Sequence, residues 1–430
     1  MKKLVSFFFV FLIFSISSAL AQQPFFIKVA NNKFELNSKP LQFIGTNMWY
    51  ANILAMPTNK GGNRKRLIKE LDFLKQNGIT NIRVLIGAQS NGKKINAVTP
   101  VHPALQTNVG IYNLDLLDGM DFLLNEMNKR NLNAVFFFGN NWEWSGGFLQ
   151  YLNWHNRLDD TTMAKKFTWD ENQDIVSKFY TCTDCQKDFW SFISMILKHT
   201  NKITGKKYVD EPSIMAWEIA NEPRPMRPTA IPAYKIFLSK TAALIKQSDK
   251  NHLLTLGTEG YMGTETMEVF KQIHQDKNID YATIHIWPKN WGWYKDSTFK
   301  NDFETVLTKT SKYINDHNAV MTTIGKPLVV EEFGMPRDNF SFSTSSTIDY
   351  RNKYFENILK TLIANKNIGG LNFWTFGGFG KAAANETPFW KEGDDLLGDP
   401  PMEEQGLNSV FATDASTWKL IKKYAAQLKK

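Results

Sequence analysis

The chain has 430 residues, 43% of them apolar, with 32 Phe and 13 Trp: enough for one large core, with aromatic rings left over for a binding surface. Its formal charge is +9, or +7 once Lys2 and Lys3 are set aside, and the Lys and Arg residues are spread over helix-like segments such as 64–69 and 419–423. No basic patch is interleaved with aromatics, so nucleic acid is excluded as the expected partner.

Lys2 and Lys3 begin the chain, an apolar run follows over 4–16, and Ala19-Leu20-Ala21 precedes Gln22. This pattern is that of a secretory signal peptide cut after Ala21, which predicts a secreted or periplasmic mature chain, 22–430. The run is shorter than the roughly 20 apolar residues of a membrane anchor, so no membrane partner is expected. Residues 26–36 read as a short hairpin. Strand-like apolar runs then recur at 41–49, 79–86, 132–139, 213–219, 253–258, 281–287, 327–333 and 369–376. Several are apolar almost throughout, as in Ala134-Val135-Phe136-Phe137-Phe138, which suits strands covered on both faces.

Amphipathic helices alternate with these runs. Leu67, Ile68, Leu71 and Leu74 share a face before a stop at Asn77-Gly78, and Leu117, Met120, Leu124 and Met127 repeat the pattern. Segments 234–245, 350–363 and 418–428 do the same. The only cysteines, Cys182 and Cys185, suit a local disulfide staple in an exported protein. Eight strands with intervening helices predict a single-domain α/β (β/α)8 TIM barrel, because parallel neighbours need crossover connections. The hairpin would plug its bottom. Functional side chains should then cluster where strands end.

The fourth strand runs into Asn221-Glu222-Pro223, and the seventh ends Val330-Glu331-Glu332-Phe333-Gly334. Regular alternation cannot aim both Asn221 and Glu222 at one centre, so a bulge or turn is expected there. Alternation also admits only one of Glu331 and Glu332 to the barrel centre. These two motifs resemble the signature of glycoside hydrolase family five, and the resemblance spans essentially the whole mature chain. It implies Glu222 as general acid/base and Glu332, directly before the aromatic-Gly pair, as nucleophile. Glu331 and Glu218 would then be paired outside the site. The charge of Glu332 and partial desolvation are expected to push the pKa of Glu222 upward.

By the same resemblance Arg83 lies beneath the nucleophile, Asn221 bonds the sugar 2-hydroxyl, His285 and Trp287 contact substrate, and Trp374 forms a platform under the cleaved sugar. Ten of the 13 Trp (49, 142, 144, 154, 169, 287, 291, 293, 374 and 390) fall at or after strand ends, which favours a polysaccharide groove. Gly139-Asn140-Asn141-Trp142, with Gly45-Thr46-Asn47-Met48-Trp49-Tyr50 and Ala220-Asn221-Glu222-Pro223-Arg224, is similar to the β-mannanase branch. Trp49, Asn141 and Trp142 are therefore expected in the substrate site.

The expected activity is retaining cleavage of internal β-1,4-mannosidic bonds by a monomer, with no metal or organic cofactor. The long segments 147–179 and 288–304 would favour exo action if they walled off one end of the groove. A β-1,4-glucanase, or a catalytically silent carbohydrate-binding protein, is the alternative.

Overall fold

The computed structural model describes residues 26–382 and 389–428. The expected signal peptide, 1–21, lies outside the described residues. Eight strands form one parallel sheet: β1 (Phe43–Asn47), β2 (Asn81–Leu85), β3 (Asn133–Asn140), β4 (Ile214–Asn221), β5 (Leu253–Thr255), β6 (Ala282–Ile286), β7 (Leu328–Phe333) and β8 (Ile368–Phe373). Their order is β5-β4-β3-β2-β1-β8-β7-β6. Asp280 N donates to Leu254 O at 2.9 Å and His285 N to Glu259 O at 3.3 Å, which draws β5 and β6 together and closes the barrel. Each of the eight strands falls on one of the runs expected from sequence, overrunning it by at most two residues, because each is buried on both faces and so reads as a block of apolar residues.

A helix follows each strand: α1 (Arg64–Gln76), α2 (Leu114–Lys129), α3 (Thr183–Lys198), α4 (Ile231–Ser248), α5 (Met267–His274), α6 (Phe299–Ile324), α7 (Asp349–Ala364) and α8 (Ala415–Leu428). Cys182 and Cys185 form a disulfide at the start of α3, where Cys182 Sγ accepts from Cys185 N at 3.3 Å. Among the described residues no helix is long and apolar enough to cross a membrane.

The expected hairpin is present, Lys28–Ala30 pairing with Lys33–Leu36, and a third antiparallel strand, Lys39–Leu41, extends it into a small sheet. It plugs the bottom of the barrel: Ile27 and Phe34 pack with Phe43, Val135, Met215, Leu253, Tyr281 and Val329. Gly369 and Gly370 open β8 for the same reason. A Cβ on either would lie 2.2 Å from the Phe34 ring or 2.3 Å from the Phe43 ring.

Candidate active site

At the other end of the barrel, two departures from regular strand geometry bring acidic side chains together. In β4, Trp217 faces the helices and donates from Nε1 to Asp249 at 2.7 Å, while Glu218 faces inward to Arg83. Asn221 breaks this alternation at the last strand position, reaching Arg83 Nη2 at 2.8 Å. Glu222 follows with a φ of 52°, left-handed and unusual for a non-glycine residue. The expected turn is therefore present, and it lets Asn221 and Glu222 share one centre.

The second departure is a bulge in β7. Ile284 pairs with Val330, but the next residue, His285, pairs with Glu332. Glu331 is the extra residue, and a bulge lets two consecutive side chains enter the same side. Both glutamates therefore enter the barrel, which corrects the expectation that Glu331 is paired outside the site. Glu218 is corrected in the same way. Both are fully buried against Arg83.

Arg83, on β2, organises this layer. Its Nη1 donates to Glu332 Oε1 at 2.5 Å and to Asn47 Oδ1 at 3.0 Å. Its Nε and Nη2 form a fork on Glu218 at 2.8 and 2.6 Å, and Glu331 Oε2 is 3.5 Å from Nε. One guanidinium thus faces three carboxylates with no exposure of its own. Burial pushes the Glu218 carboxyl up to about 8; Arg83 opposes that shift and the Glu331 charge adds to it.

His285, fully buried on β6, sits between the two expected catalytic groups. Its Nδ1 lies 2.7 Å from Glu222 Oε1 and 3.3 Å from Glu332 Oε2. Burial disfavours the imidazolium, but Glu332, together with hydrogen bonds to Glu222 and Glu331, holds it well above the usual histidine range. For Glu222 the direction is opposite to expectation. Burial raises its pKa, yet the hydrogen bond and charge of His285, the Arg224 charge and the Trp142 N–H outweigh burial and set it below the usual carboxylate range. The correction has a simple cause: the nearest group is an acidic imidazolium, not only a second carboxylate.

Trp142 Nε1 donates to Glu222 Oε2 at 2.5 Å, and Trp287 Nε1 donates to Glu332 Oε2 at 3.3 Å. Above them opens a cavity of about 940 Å³ lined in part by Asn221, Glu222, Glu332 and Trp142, 144, 169, 287, 291 and 374. Trp374 is 4% exposed, with an indole N–H that has no partner in the protein. Arg83 and His285 lie beneath this surface and do not line it. Trp49 and Asn141 do not line it either, which corrects their expected contact with substrate. Trp49 is 1% exposed and donates to Gly398 O at 2.6 Å, tying down the loop after β8. Asn141 accepts from Arg224 N at 3.3 Å and shapes the turn after Glu222.

Arg224, Glu259 and Glu403 are among the cavity residues to which the sequence assigned no role. Arg224 and Glu259 pair through two hydrogen bonds, at 2.5 and 2.7 Å, and burial pushes Glu259 up to about 7 against the pull of Arg224. Glu259 falls one residue past the segment read as the fifth strand, so the strand-end rule, extended slightly, finds it. Glu403 comes from the loop after β8, which carries no motif. Burial, then Asp399, Glu332 and Glu222, hold its carboxyl well above the usual range.

Oxygens of Glu222 and Glu332 and a nitrogen of His285 lie within 4.8 Å of one another. The trio is already joined by the 2.7 Å contact between Glu222 and His285. Chemically, the arrangement offers two opposed carboxyls, one proton-bearing imidazole between them and a fixed cation below.

The family described as GH family 5 beta-mannosidase-like matches residues 24–430. Mannan endo-1,4-beta-mannosidase 1 of Solanum lycopersicum is 30% identical over 350 residues, covering 76% of this chain and 79% of that one. A glycoside hydrolase family 5 mannosidase from Rhizomucor miehei has 28% identity and a TM-score of 0.84, covering 94% and 97% of the two chains. The endo-1,4-beta-mannanase structure from the same organism has a TM-score of 0.65 at 20% identity over 94% and 100%, a likeness of fold. With a match over the whole barrel and two opposed carboxyls at its C-terminal mouth, the chain is a glycoside hydrolase belonging to the family 5 beta-mannosidase-like group.

Proposed function

We propose that this enzyme hydrolyses β-1,4-linked mannosides by double displacement, acting from chain ends on mannan-derived substrates. Glu332 attacks the anomeric carbon while Glu222 gives its proton to the departing glycosidic oxygen. The resulting ester removes the Glu332 charge. Glu222 then takes a proton from water, whose oxygen attacks the anomeric carbon and breaks the bond to Glu332. Carboxyls close enough for direct attack are the mark of a retaining enzyme, at roughly 5–5.5 Å. The 4.8 Å bound across the Glu222–His285–Glu332 group is the observation that carries this reading.

One proton is shared across the 2.7 Å contact between His285 Nδ1 and Glu222 Oε1, the oxygen that must donate it. When a glycosidic oxygen arrives, a transfer across that contact arms the acid. Trp374 offers a sugar ring an aromatic face and a free indole N–H. Asn221 Nδ2 carries two hydrogens and gives one to Asn140 at 3.1 Å, which leaves the other for a sugar hydroxyl.

Chain-end action, rather than the internal cleavage expected from sequence, is favoured by the loop after β8. Met402, Glu403, Glu404 and Leu407 form part of the cavity wall. The loop is fixed by Trp49 and by Asp399, which accepts from Gly406 N, Asn408 N, and Ser409 N and Oγ at 2.6–3.1 Å. Export through the N-terminal segment and a monomeric state belong to the same proposal. NMR of early hydrolysis of mannotriose tests it: the β-anomer of mannose should appear first, before viscosity falls in a mannan solution. An initial α-anomer would rule out double displacement, and an early viscosity loss would restore internal cleavage.

A further inference from the structure

Glu331 is a buried carboxylate for which the reaction above has no use. It is fully buried and does not line the cavity, so it cannot reach a sugar. Its Oε2 lies 3.4 Å from His285 Nε2 and 3.5 Å from Arg83 Nε, and its Oε1 has no hydrogen-bond partner. The other imidazole nitrogen faces Glu222 and Glu332. We propose that Glu331 is a positioning residue: by accepting the Nε2–H of His285, it fixes which imidazole nitrogen meets the catalytic carboxyls and tightens the hold of the Glu222–His285 pair on the proton to be delivered.

The geometry leaves two productive states. With Nε2–H directed to Glu331, a neutral ring presents a bare Nδ1 to Glu222, which then carries the proton. A cationic ring presents Nδ1–H to a Glu222 carboxylate. Both hold one transferable proton across the 2.7 Å contact. The remaining tautomer, with a bare Nε2, would set its lone pair against the Glu331 oxygen. That state is disfavoured by repulsion, as in other carboxylate–histidine arrangements where the outer partner fixes the tautomer.

Other charges surround the imidazole. Glu222 and Glu218 come from the β4 end, Glu332 from β7, Arg83 from β2 behind Glu331, and Glu259, paired with Arg224, from beyond β5. The Tyr281 hydroxyl, also without a hydrogen-bond partner, is a neutral group near Glu331 and Glu218 from just before β6. Removing the Glu331 charge while keeping its volume therefore lowers the proton affinity of the pair and leaves the Arg83–Glu332 contact in place.

This inference rests on the assignment of Glu222 as acid, and its test separates the two. Glu331→Gln should move the basic limb of kcat/KM to lower pH by about one unit, with activity persisting on the acid side. A uniform loss at every pH, with the limb unmoved, would mean that Glu331 is only structural and would overturn the proposal. In the wild type, ¹⁵N NMR of His285 should show Nε2 protonated throughout, with Nδ1 gaining and losing the proton; a bare Nε2 would overturn the proposal even if the variant does not fold. Failure of the wild type to cleave any β-mannoside would strike the functional reading instead, and the tautomer measurement needs no substrate.

Discussion

At the N-terminal mouth of the barrel, Ile27 and Phe34 of the small sheet meet Phe43, Met215, Tyr281 and Val329 in an apolar plug. Toward the C-terminal mouth the barrel strands carry Arg83, Glu218, His285, Glu331 and Glu332, five ionisable side chains with almost no exposure. The plug works by volume, and any close-packed apolar set of the right shape would serve. The ionic layer works by pairing, because each group removed leaves another buried charge uncompensated. Lesions at the two mouths should therefore differ in kind. Those below should cost stability and spare the chemistry, and those above should do the reverse or do both.

The largest effect expected is at the proposed nucleophile. Glu332→Gly should lower kcat at least about 10⁴-fold, and azide, fitting the vacated space, should restore part of it. If azide instead rescued Glu331→Gly, the two neighbours would have to exchange roles. Next comes Arg83→Ala, which strands Glu218 and Glu332. It should cost about 3–5 kcal/mol in urea unfolding and abolish turnover in whatever protein still folds. Phe34→Ala, at the opposite mouth, should cost a similar 3–5 kcal/mol by leaving a cavity. Its folded fraction should keep the wild-type kcat and pH profile, and a changed profile would break the separation between the two ends.

The smallest effect belongs to the cavity rim. Trp169 is 53% exposed, lies 6.3 Å from Trp142 ring to ring, and stands on the Glu222 side of the cavity. Trp169→Ala should raise KM for mannotriose roughly fivefold, about 1 kcal/mol of stacking, with kcat little changed. An equal loss in kcat would place Trp169 in the chemistry rather than at the rim.

How much of this was legible in the sequence follows from the same division. Strands buried on both faces write themselves as apolar blocks, so all eight could be placed, and Asn221-Glu222-Pro223 located a break in β4 that the φ of Glu222 supplies. What stayed hidden depends on neighbours distant in sequence. The bulge that turns Glu331 inward is a property of the β6–β7 register, which alternation along β7 alone does not contain. The direction of the Glu222 shift depends on an imidazole 63 residues away. Trp49 sits at a strand end as a substrate contact would, but the loop after β8 covers it, and Glu403 reaches the cavity from that same loop without a motif to announce it.

The central claim is that two opposed carboxyls divide the labour, with Glu332 forming the covalent bond. A 2-deoxy-2-fluoro-mannosyl fluoride should trap that bond, and mass spectrometry of proteolytic peptides locates it. A single added sugar on Glu332, within Val329-Val330-Glu331-Glu332-Phe333, is the predicted result. Labelling of Glu331 or Glu222, or turnover without a trapped ester, would contradict it.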